Sequence, residues 1–243
     1  MRSIKGEEKF NMTALMYASC AIGFVLFCVY IAISIKEKNI KGVCVKGFVS
    51  VAYLLVAAFG TLSNPDALLY GIPVIIAGVL GLKGDIYLEQ KWMYKQHHDD
   101  YLRIGFICFG MGHLFYIWAL HQRVSLSGAE YLIPVAGGLL MFIGNLVMEK
   151  PTKQDFGKFR WFVGAYAFVL GYSTALSVLI YFKTGAVFSL MFALGCVSFM
   201  ASDLVLSQIY FGKNKATPTT FVVNMVAYYL AQFLIALTPA FVK

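Results

Sequence analysis

Eight times along this chain an apolar stretch of about 20 residues recurs, the length at which a helix crosses the hydrocarbon core of a bilayer. The stretches lie at 13–35, 42–60, 66–89, 102–120, 128–148, 159–182, 185–210 and 217–241, and the linkers between them are too short to hold a soluble domain. The expected fold is therefore all-α: an integral, multi-pass membrane protein of eight transmembrane helices, with residues 1–243 forming one polytopic domain. Composition agrees, because 60% hydrophobic and only 13% charged residues are far from the averages of soluble domains.

The first span follows MRSIKGEEKF, which carries acids as well as bases and leads into no small-residue cleavage site, so it is expected to be retained rather than removed as a signal peptide. The five cysteines, Cys20, Cys28, Cys44, Cys108 and Cys196, fall in or at the start of apolar spans and are odd in number, so no disulfide framework is implied. A net charge of +8 would suggest a nucleic-acid partner in a soluble protein. Here the basic residues flank helices, where they set topology beside anionic lipid. Sorting them by side sets Arg2, Lys5, Lys9, Arg123, Lys183 and Lys243 against thirteen others: Lys36, Lys38, Lys41, Lys46, Lys91, Lys95, Arg103, Lys150, Lys153, Lys158, Arg160, Lys213 and Lys215. The richer side is expected to be cytoplasmic, with both termini outside, in a bacterial cytoplasmic membrane.

A charge at mid-helix costs about 2.5 to 3.5 kcal/mol even on the lenient insertion scale, so the few polar residues inside the spans are the functional candidates. Asp85 ends the third span, His113 and Tyr116 share a face of the fourth, Asn145 is late in the fifth and Asp203 late in the seventh. In the eighth, Asn224, Tyr228 and Gln232 recur every four residues, a polar stripe that must face protein or water. Counted back from the cytoplasmic ends, Asp85 and Asn145 lie roughly 5 Å in, Asp203 about 10 Å, and His113 and Tyr228 about 16 Å. Lys46 and Lys83 are expected to snorkel toward the cytoplasmic interface, where either is within reach of a phosphate.

GDIYLEQ from Gly84 and SDLVLSQ from Ser202 share a pattern 118 residues apart, half the chain, in spans that run the same way. Two parallel four-helix repeats would place the two aspartates at matched depth. Structural readings compete: Asp85 lies near enough to the interface to be solvated, Asp203 is suited to pairing between helices, and a lone histidine more often bonds between helices than serves as ligand or base. HHDD at 97–100 lacks metal-site spacing and reads as a solvated loop. Gly78, Gly81, Gly84, Gly105 and Gly112 are expected to let helices approach closely.

Taken together, GDIYLEQ, FICFGMGHLFYIWAL around His113, GCVSFMASDLVLSQ around Asp203 and YYLAQFLIA around Tyr228 resemble the YhhN-type transmembrane lysoplasmalogenases, in order and spacing along nearly the whole chain. The resemblance implies an eight-helix membrane enzyme that hydrolyses the vinyl ether bond of lysoplasmalogens to a fatty aldehyde and a glycerophospho-alcohol. It also implies Asp85 and Asp203 as catalytic candidates and a lysophospholipid, held in membrane lipid, as partner.

The chemistry suits these residues. Vinyl ether hydrolysis needs an acid to protonate carbon and a carboxylate to stabilise the resulting oxocarbenium and position water, as in glycosidases. Two aspartates in a dry cavity can supply one of each, since two like charges close together do not both ionise. Either can be the acid. His113, Tyr116, Asn145, Ser202, Tyr228 and Gln232 would hydrogen-bond the pair or the water, and Lys46 would meet the phosphate. No cofactor or metal is expected, because His113 alone among the histidines lies in a span and a three-histidine zinc site cannot be assembled there. Protonatable carboxylates in parallel repeats also suit a proton-coupled transporter of small molecules or lipids. The six prolines avoid the depth of the polar residues, which favours a rigid cavity over helices that unwind near a site.

Overall fold

A computed structural model of the chain describes residues 2–36, 39–213 and 216–242, with the side chains of 2–8 left aside. Lys38, Lys215 and Lys243, and the side chains of Arg2 and Lys5, which enter the charge sorting above, lie outside the described residues. Among the described residues eight helices are long and apolar enough to cross a membrane: α1 Arg2–Ser34, α2 Ile40–Ser63, α3 Leu68–Met93, α4 His98–His121, α5 Leu132–Met148, α6 Arg160–Thr184, α7 Val187–Phe211 and α8 Pro218–Leu237. No strand forms among these residues, and the one β-bridge, Gln154 to Gly212, is isolated.

Seven of the helices start and end within a few residues of the apolar stretches. The exception is α1, which begins at Arg2 rather than near residue 13. At 1.5 Å per residue its 33 residues run to about 50 Å, well beyond the ~30 Å of hydrocarbon, because nothing in the charged leader breaks a helix. Local chemistry fixes other ends. The side chain of Asn39 caps α2 by accepting from the Gly42 N–H at 3.0 Å, and α6 stops where Gly185 turns left-handed at φ +58° and its N–H closes on the Tyr181 carbonyl. HHDD corrects one expectation. Instead of a loop, His97 closes a short 3-10 turn, Lys95–His97, and His98–Asp100 begin α4, with Asp99 and Asp100 in the first turn, where the helix dipole favours carboxylates.

The chain divides into two compact units, residues 1–123 with 233–243, and residues 124–232. In the first, α3 and α4 approach closely: a Cβ on Gly84 would fall 2.7 Å from the Phe109 ring, and one on Gly105 would fall 2.8 Å from Leu88 Cγ. This is the expected use of those glycines. The C-terminal segment is tied to α2 and α3 by the Asn64 amide, which donates to the carbonyls of Pro239 and Val242, and by the Tyr70 hydroxyl, which donates to Thr238 at 2.7 Å.

In the second unit, the buried Glu149 organises the turn after α5. It accepts from the Phe156 N–H at 2.9 Å and pairs with Arg160 at 2.6 Å, while the Asp155 N–H reaches the Phe211 carbonyl. At the other end of α5, Glu130 pairs with Lys183 of α6 at 2.6 Å. Much of α5 exposes large apolar side chains, among them Leu132, Ile133, Leu140 and Val147, as a helix facing lipid does.

Candidate functional site

In the first unit two pairs of polar residues, each four apart and therefore on one helix face, meet across α2 and α3: Lys46 with Ser50, and Asp85 with Glu89. The Lys46 ammonium lies 3.2 Å from Asp85 Oδ1 and 3.2 Å from Glu89 Oε1, so one cation bridges two carboxyl groups. Ser50 donates to Asp85 Oδ2 at 2.7 Å, and Tyr30 of α1 donates to Glu89 Oε1 at 2.6 Å. The Lys46 ammonium also lies 5.9 Å from the centre of the Tyr30 ring, within cation–π range. All five residues are buried, Asp85 to 2% exposure and Lys46 to 4%.

This arrangement corrects two expectations. Lys46 does not snorkel to an interface, because two carboxyl groups hold its ammonium inside the helix packing; Lys83, which faces out, keeps that reading. Asp85 is not merely solvated near the membrane surface. Burying an ion pair costs several kcal/mol per ion, which is recovered only with good geometry and added hydrogen bonds; here Ser50 and Tyr30 supply those bonds. On α4, His113 and Tyr116 share a buried face as expected, their rings edge to face with centroids 5.6 Å apart.

In the second unit Asp203 is half-buried on α7 and hydrogen-bonds the phenol of Tyr166 on α6. Its pattern counterpart Asp85 sits against an ammonium, so the two aspartates of the shared motif have unlike neighbours. Ser202 turns to α8: its hydroxyl donates to the Asn224 carbonyl at 3.2 Å, and the Asn224 amide returns bonds to the Ser202 carbonyl at 2.8 Å and hydroxyl at 2.9 Å. The polar stripe of α8 faces protein. Asn224, Tyr228 and Gln232 are all buried, and Gln232 donates to the Tyr228 hydroxyl at 3.0 Å.

Asn145 lines a pocket of about 660 Å³ between α5, α7 and the start of α8, within the size range of small-molecule sites. Its wall is apolar at Leu140 and Leu204 and polar at Gln154, Ser207 and Gln208. Ser207, one turn after Asp203, accepts from the Gln154 amide at 3.1 Å. Thus the fold brings Lys46 to Asp85, and Ser202 and Tyr228 to α8 partners, while Asn145 belongs to a separate group of side chains.

A family model described as the YhhN family matches residues 43–238, four-fifths of the chain. This chain belongs to the YhhN family. The match runs from the start of α2 to the end of α8 and includes Lys46, Ser50, Asp85, Glu89, Tyr166 and Asp203. Tyr30 lies ahead of it. No curated protein and no solved structure matches this YhhN chain.

Four residues of this geometry escaped the sequence reading: Glu89, Ser50, Tyr30 and Tyr166. Glu89 carried a usable signal, standing one helical turn from Asp85 inside GDIYLEQ. The two tyrosines carried none, since a phenol in an apolar span serves equally as packing or as hydrogen-bond donor.

Proposed function

We propose that this protein is a membrane hydrolase that cleaves the vinyl ether bond of lysoplasmalogens, releasing a fatty aldehyde and a glycerophospho-alcohol. The observation that carries the reading is a carboxylate, Asp85, buried and braced inside a transmembrane helix of a YhhN chain. An intramembrane carboxylate is costly, and it is kept where chemistry needs it.

The reaction has three steps. An acid protonates the vinyl carbon beta to oxygen, leaving an oxocarbenium ion. Water adds at the carbon bonded to oxygen and loses a proton to a carboxylate, forming a hemiacetal. The hemiacetal collapses, its hydroxyl proton passing to the departing oxygen, to give aldehyde and alcohol with the net consumption of one water. Asp85 and Asp203 are the proposed carboxyl groups. Their task resembles that of the glycosidase pair, which also acts on an oxocarbenium-like state. Ser202, Tyr228, Gln232, His113, Tyr116 and Asn145 are proposed as groups that orient the lipid or the water, and the phosphate is assigned to basic residues at the cytoplasmic end.

Purified full-length protein in lipid nanodiscs, given a lysoplasmalogen, is expected to release aldehyde. Asp85→Asn and Asp203→Asn should each abolish release while the helical content stays unchanged. Aldehyde release that survives both substitutions would refute the mechanism. Uptake of solute by proteoliposomes with no product formed would favour the transporter reading.

A further inference from the structure

The pocket at Asn145 lies wholly within the second unit, on α5, the turn after it, α7 and the first turn of α8. Its polarity is graded along the helices. Thr152, Gln154 and Thr220 stand at the ends of the spans, Asn145 and Gln208 about one turn inside, and Leu140 and Leu204 deeper still. Leu140 stands eight residues before Met148, where α5 ends, about 12 Å along the helix. In a helix that crosses a bilayer, such a pocket runs from the polar edge into the hydrocarbon, the gradient an amphiphile itself carries.

At the middle level, hydrogen-bonding capacity is left over. Among the described residues neither the Asn145 nor the Gln208 side-chain amide has a partner, and the Ser207 hydroxyl, which accepts from Gln154 at 3.1 Å, has no acceptor for its own proton. Facing hydrocarbon, unpaired polar groups are costly; facing a ligand's oxygens, they are satisfied. Amides donate and accept, so they suit hydroxyl and carbonyl groups alike. No charged residue is among those that line the pocket, so nothing there offsets the desolvation of a phosphate. Gly144 keeps the space open. A Cβ built on it would meet no neighbouring atom within 4 Å, although glycine weakens a helix interior.

We propose that this pocket binds a single-chain lipid with an uncharged, hydroxyl-bearing head, of the monoacylglycerol class. Its chain lies along Leu140 and Leu204, and its head oxygens bond Asn145, Ser207 and Gln208. A volume of about 660 Å³ suits one such molecule. Binding breaks no bond and needs neither aspartate, so the site is independent of the hydrolase reading, whose lysophospholipid carries a charged head.

A monoacylglycerol with a photoreactive diazirine in its chain, added to the full-length protein in lipid nanodiscs, tests the site. No hydrolysis enters the readout, so its failure is separable from failure of the hydrolase reading. After irradiation, peptide mass spectrometry should find label concentrated at residues 140–148 and 204–208. Excess unlabelled monoacylglycerol should remove it, and lysophosphatidylcholine of equal chain length should not. Gly144→Leu fills the space and should cut this labelling about tenfold with helical content unchanged. Should that variant fail to fold, Asn145→Leu combined with Gln208→Leu gives a second readout. Loss of two hydrogen bonds should raise the concentration for half-maximal labelling about tenfold. Label spread evenly over the lipid-facing helices, label that neither variant alters, or displacement by lysophosphatidylcholine as strong as by monoacylglycerol would overturn the inference.

Discussion

Replacing Lys46 by methionine removes the cation that two buried carboxyl groups share while nearly preserving side-chain volume. Packing should contribute little, because shape-conserving swaps in a core cost below about 1.5 kcal/mol. The electrostatic loss dominates. Asp85 and Glu89 each lie 3.2 Å from the ammonium, so the two contacting oxygens stand no more than 6.4 Å apart with nothing between them once it is gone. Taking one partner from a buried ion pair costs about 3–5 kcal/mol, with the low end applying if a carboxyl takes up a proton instead of standing charged. At 1.4 kcal/mol per tenfold, the unfolding equilibrium should shift by two to nearly four powers of ten. Reversible unfolding of the reconstituted protein by a denaturing detergent, followed by circular dichroism, reads this shift. Adding Glu89→Gln to the methionine variant removes one of the two carboxyl groups and should recover part of the loss. A shift of less than tenfold in the single variant, or no recovery in the double, would show that water rather than Lys46 compensates the carboxylates, and the account of the cluster would fail.

Other substitutions probe neighbouring parts of the structure. Tyr30→Phe removes a hydrogen bond to a buried charged group and should cost about 1.5–3 kcal/mol in the same unfolding assay; an unchanged midpoint would mean Glu89 is held by something else. Gly84→Ala forces a methyl group to within 2.7 Å of the Phe109 ring and should destabilise by about 1–3 kcal/mol, whereas a neutral effect would show that α3 and α4 can part without cost. Glu149→Ala leaves the Phe156 N–H without its acceptor and frees Arg160, for an expected loss of about 1–3 kcal/mol; faster proteolysis within 150–157 is the accompanying observation. Chelators are expected to leave aldehyde release unchanged, since the chemistry proposed uses carboxyl groups alone; inactivation restored by added zinc would contradict it.

The eight helices were legible because bilayer thickness imposes a length that hydropathy reports directly. What lay outside that constraint was not. The first turns of α1 and the turn that begins α4 are helical where no apolar run marks them. The buried faces of α8 and α4 were also legible, since polar side chains three and four apart in an apolar helix have one way to be satisfied. Lys46 was misread for a physical reason: a single lysine near a helix end can reach the interface or turn inward, and only its partners on another helix decide. Those partners, Asp85 and Glu89, lie about 40 residues away, and no local pattern links them to Lys46. Tyr166 was hidden in the same way, being read as part of an apolar span until α6 and α7 set it beside Asp203.

A carboxylic acid of this protein is proposed to protonate a vinyl ether carbon. Turnover of a lysoplasmalogen in heavy water, with the aldehyde trapped as it forms and weighed by mass spectrometry, tests it directly. The expected product carries one deuterium on the carbon next to the carbonyl, and the glycerophospho-alcohol carries none on carbon. Aldehyde without that deuterium, or no aldehyde from protein that is folded and reconstituted, would contradict the claim.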